Sequence, residues 1–386
     1  MRWLKGCFRD NILSNYIVTW IMEQKYLATE SAKKKSLRVA LIVSERTICE
    51  YSIFLDHLLT GLANDSIPVA LVFPSGFNAD SVFTGTAEVI SHPVIDLPLL
   101  EHLNIRLLAE RLRKFKPTVL HCLCESSALL TRRLAHLLDL PYVLMVNSLQ
   151  KRRGKFSISS RYCAKIIVPS KTISDNIAEV YPCFADRIRQ INIGTFVAEG
   201  TGCFSEPFRL ATMVMAHPLD NVDYFENLFN AVRHLLIDDY EFMMVVMGCG
   251  RSERQLWKLL AALDLLQTVT IVPRLKPWSL VLSAGDIFIQ PRPSLIFNTM
   301  LLEAMSIGSA VAGCKGGIDD LIIEDRTAVV FDPNDELSVM HTLKQLLDRR
   351  EIARQIAKAA QQYLRENHTV NGMISATLQT YCEAQG

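Results

Sequence analysis

AGDIFIQPRPSLIFNTMLLEAMSIGSAVAGCKGGIDD, from Ala284 to Asp320, reads as strand, turn, helix, strand, Gly-Gly turn and the start of a further helix. Ile287 to Gln290 form the short apolar run that a buried parallel strand needs. Pro291 and Pro293 stop it, because neither can donate to a ladder. Asn298 or Thr299 can cap a helix whose buried side carries Leu301, Leu302, Ala304 and Met305. Gly308 ends that helix, Ala310 to Ala312 begin the next strand, and Gly316-Gly317 turn the chain again. The spacing predicts a helix whose N-terminal amides, near Asn298 and Thr299, face the space beyond the strand ends. That geometry suits a phosphate.

Outward from this stretch the chain alternates strands and helices. Strands are expected at 37–44, 67–73, 118–123, 141–146, 164–170 and 188–194. Helices are expected at 51–64, 99–115, 126–139 and 171–181. Phe196 to Pro207, with two Gly, a Ser and a Pro, is the expected linker. A second alternating half follows, with strands at 209–215, 241–248, 268–272 and 327–331. Its helices are expected at 224–236, 251–264 and 277–283. The tail from Glu336 to Ala384 is expected to be helical, with breaks near His368 and Gly372. Such alternation argues for α/β architecture with parallel, doubly wound sheets. No internal repeat points to a solenoid.

At 386 residues, 49% of them hydrophobic and 21% charged, the chain can bury two or three domain cores. A net charge of +1 gives no ground for a nucleic-acid partner. Ten scattered Cys, with no CxxC pair, read as reduced, partly buried thiols and place the protein in the cytoplasm. Residues 1–36 precede the first core strand. Ile12, Leu13, Tyr16, Ile17, Trp20 and Ile21 share a helical face there, flanked by Arg and Lys. The functional reading is a peripheral contact with the inner membrane surface. The plain alternative is a helix packed on the domain. No metal-ligand constellation or Ser nucleophile elbow is present in the sequence.

The stretch from 284 to 320 resembles the donor half of retaining glycosyltransferases of family 4. Their pattern runs Pro-Ser, two residues, Glu-Gly-Phe, then Leu-Leu-Glu-Ala-Met, Gly, Pro-Val-Val and Gly-Gly with a following Glu. Pro291, Phe297, Leu301 to Met305, Gly308, Val311, Gly316 and Gly317 match without a gap, and Asp320 stands at the last Glu. The likeness extends more thinly from about Leu37 to the C-terminus. It implies the GT-B fold, two Rossmann-like domains facing across a cleft. They would span 37–200 on the acceptor side and 208–365 on the donor side, with 366–386 crossing back to the first. It also implies transfer of a sugar from a nucleotide-sugar donor to a glycan or lipid-linked acceptor, with retention and without a bound metal, in polysaccharide biosynthesis.

Residue by residue, the resemblance puts Glu303 on the nucleotide ribose, with Phe297, Asn298, Thr299, Gly316 and Gly317 around the donor. Gly248 and Gly250 match its glycine-rich turn, whose amides approach a diphosphate. Each also fits an ordinary strand-to-helix turn. His121 and Asn147 stand at acceptor-side strand ends. A buried core histidine and a simple turn are the alternatives.

The departures are equally specific. The first motif Glu is replaced by Leu295 and its following Gly by Ile296. The Arg and Lys that hold the donor phosphates fall at about Pro218 and Asp223, leaving His217 as the only candidate cation between Arg209 and Arg233. The Gly-Gly loop after the first strand is replaced by SERTICEYS (44–52). Each lost positive donor removes roughly 10²–10³ in rate from a reaction that expels a diphosphate. Arg292, Lys315 and Arg274 are the candidate replacements, each otherwise a solvated surface charge. Two rival readings therefore stand beside the transferase: a catalytically impaired homologue acting as a binding or partner subunit, and an epimerase acting on a UDP-sugar.

Overall fold

The computed structural model describes residues 37–75, 84–93, 95, 100–151, 157–206, 208–273 and 278–385. Arg274 and the proposed membrane-contacting segment 1–36 lie outside the described residues.

Two parallel sheets carry the chain. The first has seven strands in the order β3-β2-β1-β4-β5-β6-β7. These are β1 (Val39–Ile42), β2 (Val69–Pro74), β3 (Glu88–His92), β4 (Val119–Cys122), β5 (Tyr142–Met145), β6 (Cys163–Val168) and β7 (Ile188–Gln190). The second has six, in the order β10-β9-β8-β11-β12-β13. They are β8 (Ala211–Ala216), β9 (Phe242–Met247), β10 (Val269–Val272), β11 (Ile287–Ile289), β12 (Ala310–Gly313) and β13 (Val329–Val330). Both orders run outward from a central strand in two directions, the doubly wound arrangement. β1, β4, β5, β11 and β12 are buried along their whole length, so they read as unbroken apolar runs rather than alternating ones.

The helices of the first half are α1 (Glu45–Glu50), α2 (Ser52–Asn64), α3 (Glu101–Phe115), α4 (Ala128–Leu138) and α5 (Lys171–Val180). Those of the second are α6 (Glu226–Ile237), α7 (Glu253–Ala262), α8 (Ser279–Ser283) and α9 (Thr299–Ile307). α10 (Glu336–Asp348), α11 (Arg350–Asn367) and α12 (Val370–Ala384) complete the chain. By compactness the chain divides into one unit within Met1–Met145, Phe156–Ile166 and Ile374–Gly386, and another formed by Val146–Lys155 and Ile167–Met373.

Several expectations need correction. In SERTICEYS, which stands where the Gly-Gly loop is missing, an unanticipated helix forms: Ser44 accepts from the Thr47 amide and Thr47 reaches back to Ser44, a capping box that starts α1. β3 escaped the reading because Glu88, Val89 and Ser91 are exposed, leaving Ile90 as its one buried residue. The strand expected through Gly194 stops at Gln190. The tail breaks at Arg349 and His368, and Gly372 sits inside the first turn of α12, where its amide donates to Thr369 Oγ1 at 3.2 Å.

In the first unit, α12 packs through Ile374 so closely on Gly61 that a Cβ there would lie 2.5 Å from the Ile374 side chain. In the second unit, Phe225, Phe229 and Leu235 of the α6 region, Leu343 of α10 and Ile356 of α11 share one core with Met213, Met244 and Ile287 of the sheet. Asp286, only 2% exposed, locks the lower edge of that core. Its Oδ1 accepts from the Phe204 amide at 2.6 Å and from Arg209 at 3.1 Å, and its Oδ2 accepts from the Thr212 amide at 2.9 Å. Replacing Asp286 with Ala strands the buried Phe204 amide and the part-buried Thr212 amide, while Arg209 keeps the Ala284 carbonyl and solvent. The expected loss is about 3–5 kcal/mol of unfolding free energy, read by chemical denaturation. A loss within about 0.5 kcal/mol, the range of an ordinary surface substitution, would contradict this account.

Candidate functional site

The site is built where β11 hands the chain to α9. Past Ile289 the two prolines deny the strand further donors, and the chain finds backbone partners elsewhere in the second unit. The Phe297 amide donates to the Asn147 carbonyl at 2.8 Å, and the Leu149 amide donates to the Leu295 carbonyl at 2.9 Å. Ser148 and Ile296 form an antiparallel bridge between them. Phe297 is buried by this pairing, whereas Leu295, at the first motif Glu, is 57% exposed. Asn147 is wholly buried, so its expected contribution to an open acceptor surface is replaced by a backbone contact.

Asn298 caps α9. Its Oδ1 accepts from the amides of Met300 and Leu301, each at 3.1 Å, and its Nδ2 donates to Gln290 Oε1 at 3.0 Å. This corrects the expectation that the tip amides are open to a phosphate, because two of them are already satisfied by a side chain. Gln290, 2% exposed at the end of β11, went unremarked in the sequence because one amide inside an apolar run carries no pattern. Thr299 is also buried.

Glu303 lies one turn into α9. Thr195 Oγ1 donates to its Oε1 at 2.9 Å. Burial pushes the carboxyl up to about 7, and the Thr195 hydrogen bond only partly offsets that rise. Among the described residues no ion pair reaches it. A carboxylate offers about four acceptor sites, so capacity remains for two incoming hydroxyls. Thr195 had no sequence signal, since it belongs to a separate segment 108 residues away. That segment is held by the Thr195 amide on the His368 carbonyl at 2.9 Å.

The glycines have a packing role within the protein itself. A Cβ on Gly248 would lie 2.2 Å from the His217 carbonyl oxygen, and one on Gly250 would lie 2.4 Å from the Leu219 backbone. The two turns are joined by the Leu219 amide on the Cys249 carbonyl and the Ser252 amide on the Leu219 carbonyl. The absent side chains therefore make room for the protein's own backbone. Gly317 likewise approaches Ser294, whose carbonyl accepts from the Ile318 amide at 2.7 Å. Gly316 has φ of +106°, where a side chain is strained.

Arg292 and Lys315 separate clearly. Lys315 is exposed and paired with Glu324 at 2.8 Å, an ordinary surface bridge. Arg292 instead reaches the segment that lacks the expected basic pair. Its Nε donates to the Tyr224 carbonyl at 3.2 Å, its Nη1 donates to Asn334 Oδ1 at 2.7 Å, and the guanidinium lies over the Tyr224 ring. His217 Nδ1 donates to the Pro218 carbonyl at 2.8 Å, and the ring stacks edge-on with Tyr224 and Phe225. Asp320, at the last motif Glu, is a cap: its Oδ1 accepts from the amides of Lys171 and Thr172 at 2.8 and 3.2 Å, beginning α5. In the first unit His121 is 1% exposed, with Nδ1 at 2.6 Å from the Tyr381 hydroxyl, and burial drives its imidazolium form down to a value of about 3. It is a core histidine, not an open acceptor-side ligand.

Residues 208–363 match the family model of glycosyl transferases group 1, and residues 52–195 match that of glycosyltransferase family 4. The chain belongs to the family 4 glycosyltransferases. As a member of that group it has the GT-B class of fold, two Rossmann-like parallel sheets. The Sulfoquinovosyl transferase SQD2 of Arabidopsis thaliana is 32% identical over 126 residues, which is 32% of this chain and 24% of that protein. The match thus spans about a quarter of the curated relative. Among solved structures, Anabaena HepE in complex with UDP and glucose has a TM-score of 0.74 at 13% identity, covering 89% of this chain and 99% of that one. The glycosyltransferase of Rickettsia africae has a TM-score of 0.72 at 15% identity, covering 90% and 98%. At such identities these likenesses concern the fold.

The Glu303 carboxyl gives a test. A native-state value near 7, against 4.5 ordinarily, means the folded protein binds this proton more tightly than the unfolded chain. Its contribution to stability is full below about 4.5 and is lost as pH rises through 7. Glu303→Gln removes the buried charge. Relative to the parent, the variant is expected to gain on the order of 2 kcal/mol between pH 5 and pH 8. Parallel stability–pH curves for the two proteins would show that the carboxylate is not desolvated.

Proposed function

We propose that this glycosyltransferase moves a sugar from a nucleoside diphosphate donor to a glycan or lipid-linked acceptor, with retention at the anomeric carbon. The observation that carries the reading is Glu303. It is a carboxylate withdrawn from water, raised to about 7, and held by one hydroxyl. Such a group opposes the stability of the fold, and its spare acceptor sites fit a pair of ribose hydroxyls. A UDP-sugar is the first donor to try, since the Anabaena HepE structures hold UDP, glucose and UDP-glucose.

As the glycosidic bond breaks, negative charge collects on the leaving diphosphate and must meet fixed positive charge. Arg292 takes that role in this proposal, because it stands against the Tyr224 turn where the usual basic pair is missing. The diphosphate oxygen can itself accept the acceptor hydroxyl's proton, so no protein base is assigned. No metal is assigned either. The cellular setting proposed is the cytoplasm, with peripheral contact at the inner membrane surface. Among the described residues no helix is long and apolar enough to cross a membrane.

A second reading has its own support. An exposed Leu295 replaces the first motif Glu, and no Arg or Lys lies between Arg209 and Arg233. These losses fit a homologue that binds a nucleotide sugar or a partner and does not turn over. Thermal shifts with UDP-, GDP- and ADP-sugars, followed by assays of transfer and donor hydrolysis, separate the two. Under the transferase reading Arg292→Ala lowers kcat/KM for the donor roughly 10²–10³-fold, Arg292→Lys restores part of it, and NMR shows the anomeric configuration retained. No turnover with any donor sinks that reading, and a shift without turnover favours the second.

A further inference from the structure

We propose that the first unit carries a binding site for a phosphate monoester with a small carbon body, formed between α3 and α4. The two helices pack against each other. Between them and the 159–162 turn lies an open cavity of about 360 Å³. That size falls in the range of small-ligand pockets and exceeds what a bare ion needs.

The sequence spacing explains why charge converges there. His102 and Arg106 are four apart on α3, and Arg132 and His136 are four apart on α4, so each pair shares a helical face. Arg133 adds a third guanidinium, and no residue lining the cavity is acidic. Neighbouring carboxylates neutralise only part of this. Glu101 pairs with Arg133, and Asp139 accepts from the Tyr162 hydroxyl and pairs with Arg161 outside the cavity. Arg132 donates to the Ser157 hydroxyl, and among the described residues Arg106 has no carboxylate partner.

An ordinary solvated basic face would project its charges outward from a convex surface. Here guanidiniums from two helices border one hollow. Planar guanidinium forks match phosphate oxygens two at a time, and a dianion answers two unneutralised arginines better than a carboxylate does. Buried Ile105, together with Leu137, supplies an apolar surface in the same cavity for the carbon skeleton. The shared chemistry is that of a soluble phosphorylated metabolite and of a phospholipid headgroup bearing a terminal phosphate. This site is independent of the donor reading, because none of its residues belongs to the Glu303 site.

The test uses the full chain and two probes. Glycerol 3-phosphate is titrated calorimetrically, with glycerol as the neutral control. Vesicles of phosphatidylcholine containing phosphatidic acid are compared with vesicles carrying the same charge as phosphatidylglycerol. Binding of glycerol 3-phosphate alone assigns a soluble ligand, and a preference for phosphatidic acid over phosphatidylglycerol assigns a headgroup. In either case Arg106→Ala/Arg132→Ala is expected to weaken binding at least about tenfold with an unchanged Tm. If that variant unfolds, Arg106→Lys/Arg132→Lys keeps the charge and removes the forks, with a smaller loss expected. The proposal is overturned if neither probe binds or if the vesicles fail to discriminate phosphatidic acid from phosphatidylglycerol while glycerol 3-phosphate does not bind. Binding that is indifferent to both double variants overturns it as well.

Discussion

A carboxylate withdrawn from water with one hydroxyl for company is the constraint around which the second unit is arranged. Glu303 can occupy that position only because α9 starts where it does, and α9 starts there because Asn298 satisfies the amides of Met300 and Leu301. Asn298 is in turn oriented by Gln290 at the end of β11. The chain from strand to helix is thus one polar relay inside an apolar setting. Such a relay is stable only when each member is satisfied, which makes the exceptions informative. Two groups are the exceptions: the buried Gln290 Nε2 has no partner among the described residues, and burial raises the Glu303 carboxyl with only the Thr195 hydroxyl to offset it.

Several motif residues carry architectural tasks of their own. Gly248 and Gly250 let two turns of the protein touch, Gly317 lets the Gly-Gly turn close on Ser294, and Asp320 caps α5. Backbone proximity to a phosphate and backbone proximity to another loop demand the same residue type, so a motif alone does not distinguish them. Arg292 is the opposite case. It has no motif status, yet its guanidinium sits on the Tyr224 turn where the expected cations are missing.

Most of the strand and helix order was legible, because parallel strands buried on both faces are written as continuous apolar runs and amphipathic helices repeat every three to four residues. The misses share a cause. β3 is an edge strand with one buried residue, so it lacks an apolar run, and α1 depends on a capping box between Ser44 and Thr47 within a polar stretch. Gly372 signalled a break but lies within the first turn of a helix, where the usual penalty for glycine is small.

The sequence by itself determined the alternating architecture, the family pattern from Leu301 to Gly317, the Glu303 candidate and the loss of the first Glu and the basic pair. These follow from residue type and local spacing, which are properties of a linear chain. Only the tertiary structure decided that Thr195 is Glu303's partner, that His121 is closed over by Tyr381, and that Arg106 and Arg132 border one cavity. Each of those joins side chains from separate segments. Desolvation depends on what surrounds a group in space, and the order of residues along the chain does not record it.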